Sequence, residues 1–340
     1  MTSLPTIGVR VHGGMPPRSC IEIGEAVEKN GLAGLWFAEN PFNRGVLPAA
    51  AGAALATKRI KIGIGVFNPY NRHPTLIAME IGALDELSNG RVALGIGSGI
   101  GDRVTRMGLS YEKPLAAVRD AITIVRGMIK GESVTYKGNA FSVTNVKLES
   151  PAPRPDMPIY MAATGDQALR VCGQVADGLM ISNMCPPGYT IRALELLAEG
   201  AAKSNRPKPD TIIQYVPCVA RPDRKDAHQT VKATLGEMLS AYWTMGEKWP
   251  ATREAMLRGS GIPEEEFANA VARIKSGEKA ADVLDDRFVN AYSISGNADD
   301  CVTAIRRFGE IGVTELIVTF VGNQPTVDMA YLSSAVKSAK

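Results

Sequence analysis

The chain has 340 residues, and its Lys+Arg 38 against Asp+Glu 35 leaves a net charge of +3, too balanced for the basic footprint of a nucleic-acid binder. Hydrophobic residues make up 45% and charged residues 21%, which excludes extensive disorder and suffices for a large buried core. Length alone fits either two domains or one enlarged α/β barrel.

Strand and helix signals alternate from the start. Ile7 to Val11 is β-branched and ends in Gly13-Gly14; Ser19 is placed to cap a helix that runs to Asn30, where Gly31 stops it. The same unit recurs as Leu35 to Phe37 with Pro48 to Thr57, Ile60 to Phe67 with Pro74 to Ser88, and Val92 to Gly97 with Pro114 to Ile129. Glu132 to Pro155 interrupts the series with period-two alternation around Lys137-Gly138-Asn139, the pattern of a β-hairpin. The series resumes with Ile159 to Ala162 and Gln167 to Val175, then Leu179 to Ile181 and Tyr189 to Lys203. Ile212 to Val219 follows, with a helical region from Lys225, and Cys301 to Ile311 leads into Leu316 to Phe320. A second excursion, about 243–290, is rich in helix formers and punctuated by Gly259, Gly261 and Pro263. Its aromatics Trp243, Trp249, Phe267 and Phe288 read as packing residues.

Short, continuously apolar strands imply a parallel sheet covered by helices on both faces. Eight such units, with a usual barrel size of roughly 250 residues, leave about 90 residues for the two insertions. The expected fold is therefore α/β, a single (β/α)8 TIM barrel over residues 1–340, with a β-hairpin insertion at about 132–155 and a helical insertion at about 243–290. The opening residues lack a signal peptide's pattern, and the longest apolar stretch, Val46 to Ala56, is too short for a bilayer. The five cysteines form no C-x-x-C pair. A cytoplasmic protein with no membrane partner and no metal is the expectation.

In a barrel the chemistry sits at the carboxyl ends of the strands. Those ends carry Arg10 and His12; Glu39 and Asn40; Gly65, Asn68, Tyr70, Arg72 and His73; Gly97-Ser98-Gly99-Ile100-Gly101-Asp102; Thr164-Gly165-Asp166; and Ser182-Asn183. The G-x-G-x-x-G fingerprint fails, because the third position is Ile100 counted from Gly95 and Asp102 counted from Gly97. Walker and G-x-S-x-G motifs are absent as well. Thr164-Gly165-Asp166 ahead of a helix reads either as an ordinary cap or as a phosphate site. Among the histidines, His228 reads as a surface residue, His73 as a turn-fixing residue before Pro74, and His12 as the functional candidate. Asp85-Glu86 reads as a solvated face or a partner of Arg91.

The run from Lys61 to Pro74, Leu84-Asp-Glu-Leu-Ser-Asn-Gly-Arg91, Leu94-Gly-Ile-Gly-Ser-Gly99, Tyr111-Glu-Lys-Pro114, Pro158-Ile-Tyr-Met-Ala-Ala-Thr-Gly165 and Ala176-Asp-Gly-Leu179 resemble the bacterial luciferase-like flavin superfamily. Within it they resemble most the methylene-tetrahydromethanopterin reductase branch. The resemblance implies a barrel that binds FMN or the 5-deazaflavin coenzyme F-420 at the strands' carboxyl ends. It also implies a non-prolyl cis peptide at Gly65-Val66 in a bulge that backs the flavin ring. Asn68 would lie beside it, Gly97 and Gly99 would permit close approach, and Thr164, Gly165 and Asp166 match the family's phosphate loop. Two departures stand out. Glu39-Asn40 occupies the position where many deazaflavin enzymes have a histidine, and Arg10 and His12 stand where the reductase branch has an acidic residue.

The expected function is that of an oxidoreductase transferring hydride with coenzyme F-420, acting on a methylene-tetrahydromethanopterin-like or other small organic substrate. Glu39, Asn40 and His12 are the candidate catalytic residues. The alternatives are an FMN-dependent monooxygenase and a flavin-binding protein without turnover. Family habit implies a homodimer or homotetramer.

Overall fold

A computed structural model of the chain describes residues 4–339 except 151 and 153. The strands are β1 (Thr6–His12), β2 (Gly34–Ala38), β3 (Lys61–Phe67), β4 (Val92–Ile96), β5 (Val134–Lys137), β6 (Ser142–Val146), β7 (Ile159–Ala162), β8 (Gly178–Ile181), β9 (Thr211–Ala220), β10 (Ile294–Gly296) and β11 (Glu315–Phe320). Eight of them pair in parallel in the order β1, β2, β3, β4, β7, β8, β9, β11, and β11 returns to β1 through Thr6 to Val9 against Glu315 to Val318. The molecule is thus a closed (β/α)8 barrel. Its eight strands are those that the apolar runs mark, whereas β10, three residues added in parallel to the end of β9, is too short to leave a pattern.

Alternation along each strand divides the core in two. On β4, Val92, Leu94 and Ile96 belong to the layer between sheet and helices, while Ala93 joins Trp36, Tyr160, Met180, Ile213, Tyr215 and Ile317 inside the barrel. Large side chains there need small ones opposite them. A Cβ at Gly63 would overlap the Trp36 ring, and one at Gly95 would come within 2.5 Å of Met180 Sδ. Low in the barrel, Trp36 Nε1 donates to buried Glu315 at 2.9 Å, and Lys61 Nζ pairs with the other carboxylate oxygen at 2.5 Å.

Prolines open the helices Pro17–Asn30, Pro74–Leu87, Pro114–Ile129, Pro187–Lys203, Pro250–Leu257 and Pro325–Ser338, at the first turn where the missing N–H has no partner to lose. Ser19 consequently lies inside the first helix, and Pro16 precedes it. Gly31 ends that helix with φ 71, a left-handed conformation that glycine adopts at little cost. Two helices have no counterpart in the strand-helix alternation: Gly101–Arg106 directly after β4, and the terminal Pro325–Ser338.

The β5–β6 hairpin pairs Val134 with Val146 and Tyr136 with Val143. It is pinned to the helix Pro114–Ile129 by buried Asp120, which accepts from Ala140 N at 2.7 Å and Tyr136 Oη at 2.9 Å. After β9 runs a continuous helix, Arg224–Lys248, so Trp243 falls within a helix and not at a boundary. Trp243 packs with Phe267 and Phe288 in a second apolar cluster.

Three expectations are corrected. His228 is buried, not at the surface, because its helix packs back on the excursion, where Nδ1 lies 3.1 Å from Asp286. Asp85 is also buried; it accepts from Val92 N at 3.0 Å and from Arg154 Nη2 at 2.9 Å, tying the helix Pro74–Leu87 to the start of β4. Arg91 instead donates to Thr57 Oγ1 and to the carbonyls of Ala54, Thr57, Ile60 and Ser88. The five cysteines are free and buried. Among the described residues no helix is long and apolar enough to cross a membrane.

Candidate active site at the barrel mouth

The carboxyl ends of β1, β2, β3, β4, β7 and β8 converge on a cavity of about 450 Å3, roofed by Tyr242 and Met245 of the long helix, by Trp249, and by Thr252 and Ala255. One wall is the end of β3. The Gly65-Val66 peptide is cis, and the β3–β4 register shifts between Ile64 and Phe67, so the strand bulges there. From inside the barrel, Tyr215 Oη donates to the Gly65 carbonyl at 3.1 Å. Burial pushes the Tyr215 phenol pKa up, which keeps that donor protonated.

Val66 leans over β4, and a Cβ at Gly97 would sit 3.0 Å from its Cγ2 and 3.2 Å from Ala162 Cβ. A side chain at Gly97 would press on both and shift them by a few tenths of an ångström. Gly99 has φ 73 and packs against the Asn68 side chain. Asn68 itself is buried and folds the loop, its Oδ1 accepting from Tyr70 N at 2.8 Å and Asn71 N at 3.0 Å.

After β7, next to β4, Thr164 and Gly165 line the cavity and lead into the helix Asp166–Val175. Gly165 is its N-cap, and no side chain caps it, so its first N–H groups remain available to an anion beside the positive end of the helix dipole. Tyr189 Oη holds the turn by donating to the Thr164 carbonyl at 2.5 Å. A second unmet demand lies in the turn after β8: Asn183 is buried and lines the cavity, and its Oδ1 has no hydrogen-bond partner among the described residues.

Glu39, Gly65, Val66, Asn68, Gly97, Gly99, Thr164 and Gly165 are therefore brought together around one space. Glu39 enters it in an ion pair, with Arg72 Nη1 at 3.0 and 3.1 Å from its two oxygens, and Arg72 Nε lies 2.5 Å from Glu80. His12, Asn40 and Asp166 are not in the wall. His12 keeps much of its surface in solvent and accepts from Gly14 N at 3.1 Å; partial desolvation of the ring and then the Arg10 charge lower its pKa. Asn40 closes a turn by accepting from Phe42 N at 3.2 Å. The Asp166 carboxylate points to Arg192 at 3.3 Å on the outer surface.

The cavity also holds residues that the strand-end reading passed over. Arg103, Tyr242 and Met245 come from helices, where nothing in the periodicity distinguishes a cavity face from a packing face, and Trp249, expected as a packing residue, instead stands at the break between two helices and lines the cavity. Tyr215 was within reach, since it shares the inward parity of Ile213 on β9.

Residues 1–315 match the family model described as luciferase-like monooxygenase. The chain is similar to the 5,10-methylenetetrahydromethanopterin reductase of Methanolobus tindarius, 30% identical over 315 residues that cover 92% of this chain and 93% of that protein. It is similar to the F-420-dependent glucose-6-phosphate dehydrogenase of Beutenbergia cavernae, 29% identical over 296 residues, 84% of this chain and 78% of that one. Among solved structures, the coenzyme F-420-dependent tetrahydromethanopterin reductase of Methanopyrus kandleri shares the fold, with a TM-score of 0.84 at 22% identity and 99% of each chain covered.

Proposed function

Because the chain belongs to the luciferase-like monooxygenase family, we propose that it is an oxidoreductase that transfers hydride with coenzyme F-420. The observation that carries this reading is the cavity wall, where the β3 bulge, the bare floor at Gly97 and the uncapped helix start at Gly165 offer a flat ring and its phosphate complementary surfaces. The relatives named for F-420 chemistry cover most of the chain and support the deazaflavin over FMN. When bound, the cofactor supplies or accepts the hydride, and the protein's task is to hold and orient.

Gly65, Val66 and Gly97 would hold the ring, in a cavity that Glu39 and Arg10 also line. Thr164 and Gly165 present backbone N–H groups to the phosphate. Tyr242, Met245 and Trp249 cover the mouth and keep water from the reacting face. The substrate we assign is a methylene-tetrahydromethanopterin-like compound, in keeping with the reductases similar to this chain. A homodimer or homotetramer fits the exposed apolar side chains Leu55, Leu76 and Met79 on two adjacent helices, and sedimentation as a monomer would count against it.

Absorbance and fluorescence titration with F-420 and with FMN tests the cofactor. Saturable binding of F-420 alone, followed by oxidation of the reduced form on adding methylene-tetrahydromethanopterin, is the expected result. Retention of FMN with oxygen-dependent oxidation of its reduced form identifies a monooxygenase instead. Tight binding with no oxidation by any acceptor identifies a binder without turnover.

A further inference from the structure

The cavity holds two positive charges without counter-charges. Arg10 at the end of β1 and Arg103 in the helix after β4 both line it, and neither makes a hydrogen bond or ion pair through its side chain with any described residue. Arg10 rests over the Tyr215 ring at 5.8 Å from its centroid, a contact that holds the guanidinium in place and leaves its N–H edges free. The one carboxylate lining the cavity, Glu39, already spends both oxygens on Arg72. Several arginines elsewhere in the chain do find carboxylates: Arg221 with Asp328 and Asp226, Arg126 and Arg206 with Asp177, Arg287 with Glu266 and Asp285. Burial, the Arg106 charge and the Arg10 charge each work against the charged form of Arg103, while Tyr242 works for it, so these groups share one field. Leaving two guanidiniums partly desolvated and unpaired is costly unless an anion joins them.

We propose that Arg10 and Arg103 form an anion subsite for the reactant, so that the substrate carries a carboxylate or phosphate which they grip while its reacting carbon faces the ring. The planar fork of each guanidinium suits bidentate capture of such a group. This rests on the hydride-transfer reading and narrows its substrate class. The same charges could instead meet the cofactor's own phosphate and glutamyl carboxylates, and the test separates the two sources.

The probes are inorganic phosphate and malonate, titrated into the protein with and without F-420 and followed by melting temperature and F-420 fluorescence. Saturable binding is expected in both forms, weakened at least tenfold in Arg10→Gln and in Arg103→Gln, partly restored in Arg10→Lys, with the F-420 dissociation constant changed less than twofold. No saturable anion effect in the wild type, or equal binding in the glutamine variants, overturns the subsite. Loss of F-420 affinity in those variants, or anion binding that F-420 abolishes in the wild type, also overturns it, assigning the arginines to the cofactor. Should F-420 not bind at all, the hydride-transfer reading fails, while the cofactor-free titration still reports on the arginines.

Discussion

Removing one oxygen, Tyr215→Phe, tests whether the barrel interior sets the shape of the cofactor wall. The ring stays, with its contacts to Arg10 and to the interior cluster, and only the 3.1 Å hydrogen bond to the Gly65 carbonyl is lost. A buried acceptor deprived of its donor costs about 1–3 kcal/mol. At about 2.1 cal/mol/K of unfolding entropy per residue, the 340-residue chain unfolds with roughly 0.7 kcal/mol/K, so the melting midpoint drops by about 1.5–4 °C. If the hydroxyl holds the wall, part of the same free energy reappears in binding, and since 1.4 kcal/mol is tenfold, the F-420 dissociation constant rises by about tenfold and at most about a hundredfold. Tyr292→Phe is the matched control: it removes a buried hydroxyl that donates to the Met256 carbonyl at 2.6 Å, outside the cavity. Calorimetry and fluorescence titration on both variants give the answer. Equal melting shifts with wild-type F-420 affinity in Tyr215→Phe would refute the claim that this hydroxyl positions the wall.

Asp85→Ala strips the acceptor from Val92 N and Arg154 together, and costs about 3 kcal/mol or more in urea unfolding; a loss below about 1 kcal/mol would show that the pair is not a structural tie. Burial lowers the pKa of His73, whose ring nitrogen accepts from Thr75 N at the head of the helix Pro74–Leu87, and His12 is lowered as well. The folded state therefore binds fewer protons than the unfolded one below the ordinary imidazole value, so stability is complete above about pH 6.5 and declines as pH falls through it. His73→Asn keeps a capping acceptor and flattens that decline; melting midpoints at pH 5.5 and 7.5 that differ equally in variant and wild type would sink the assignment.

How far the sequence could be read depends on the kind of residue. The eight barrel strands announced themselves because both their faces are buried, which favours apolar runs such as Val92 to Ile96. The residues of the β3–β4 wall were named through the family resemblance and not by periodicity, and the structure adds that a Cβ at Gly97 would crowd Val66 and Ala162. Polar residues misled in both directions. His12 and Asn40 sit at strand ends, but their side chains are consumed by local turns, accepting from Gly14 N and Phe42 N. Asp85 and His228 looked like surface charge, yet each is buried against a cation or a carboxylate from a distant segment that no local pattern could supply.

The contrast between wall and roof bears on what can change in such a barrel. The β3, β4 and β7 side of the cavity is fixed by backbone geometry and by residues packed into the barrel, so altering it disturbs the interior that Trp36 and Tyr215 fill. The opposite side is carried by Arg10 at a strand end, by Arg103 on a six-residue helix and by Tyr242, Met245 and Trp249 from the helical excursion. None of these side chains is needed to close a strand ladder. An exchange of charge at Arg10 or Arg103 is therefore expected to change what the cavity attracts while the β3, β4 and β7 side keeps its shape.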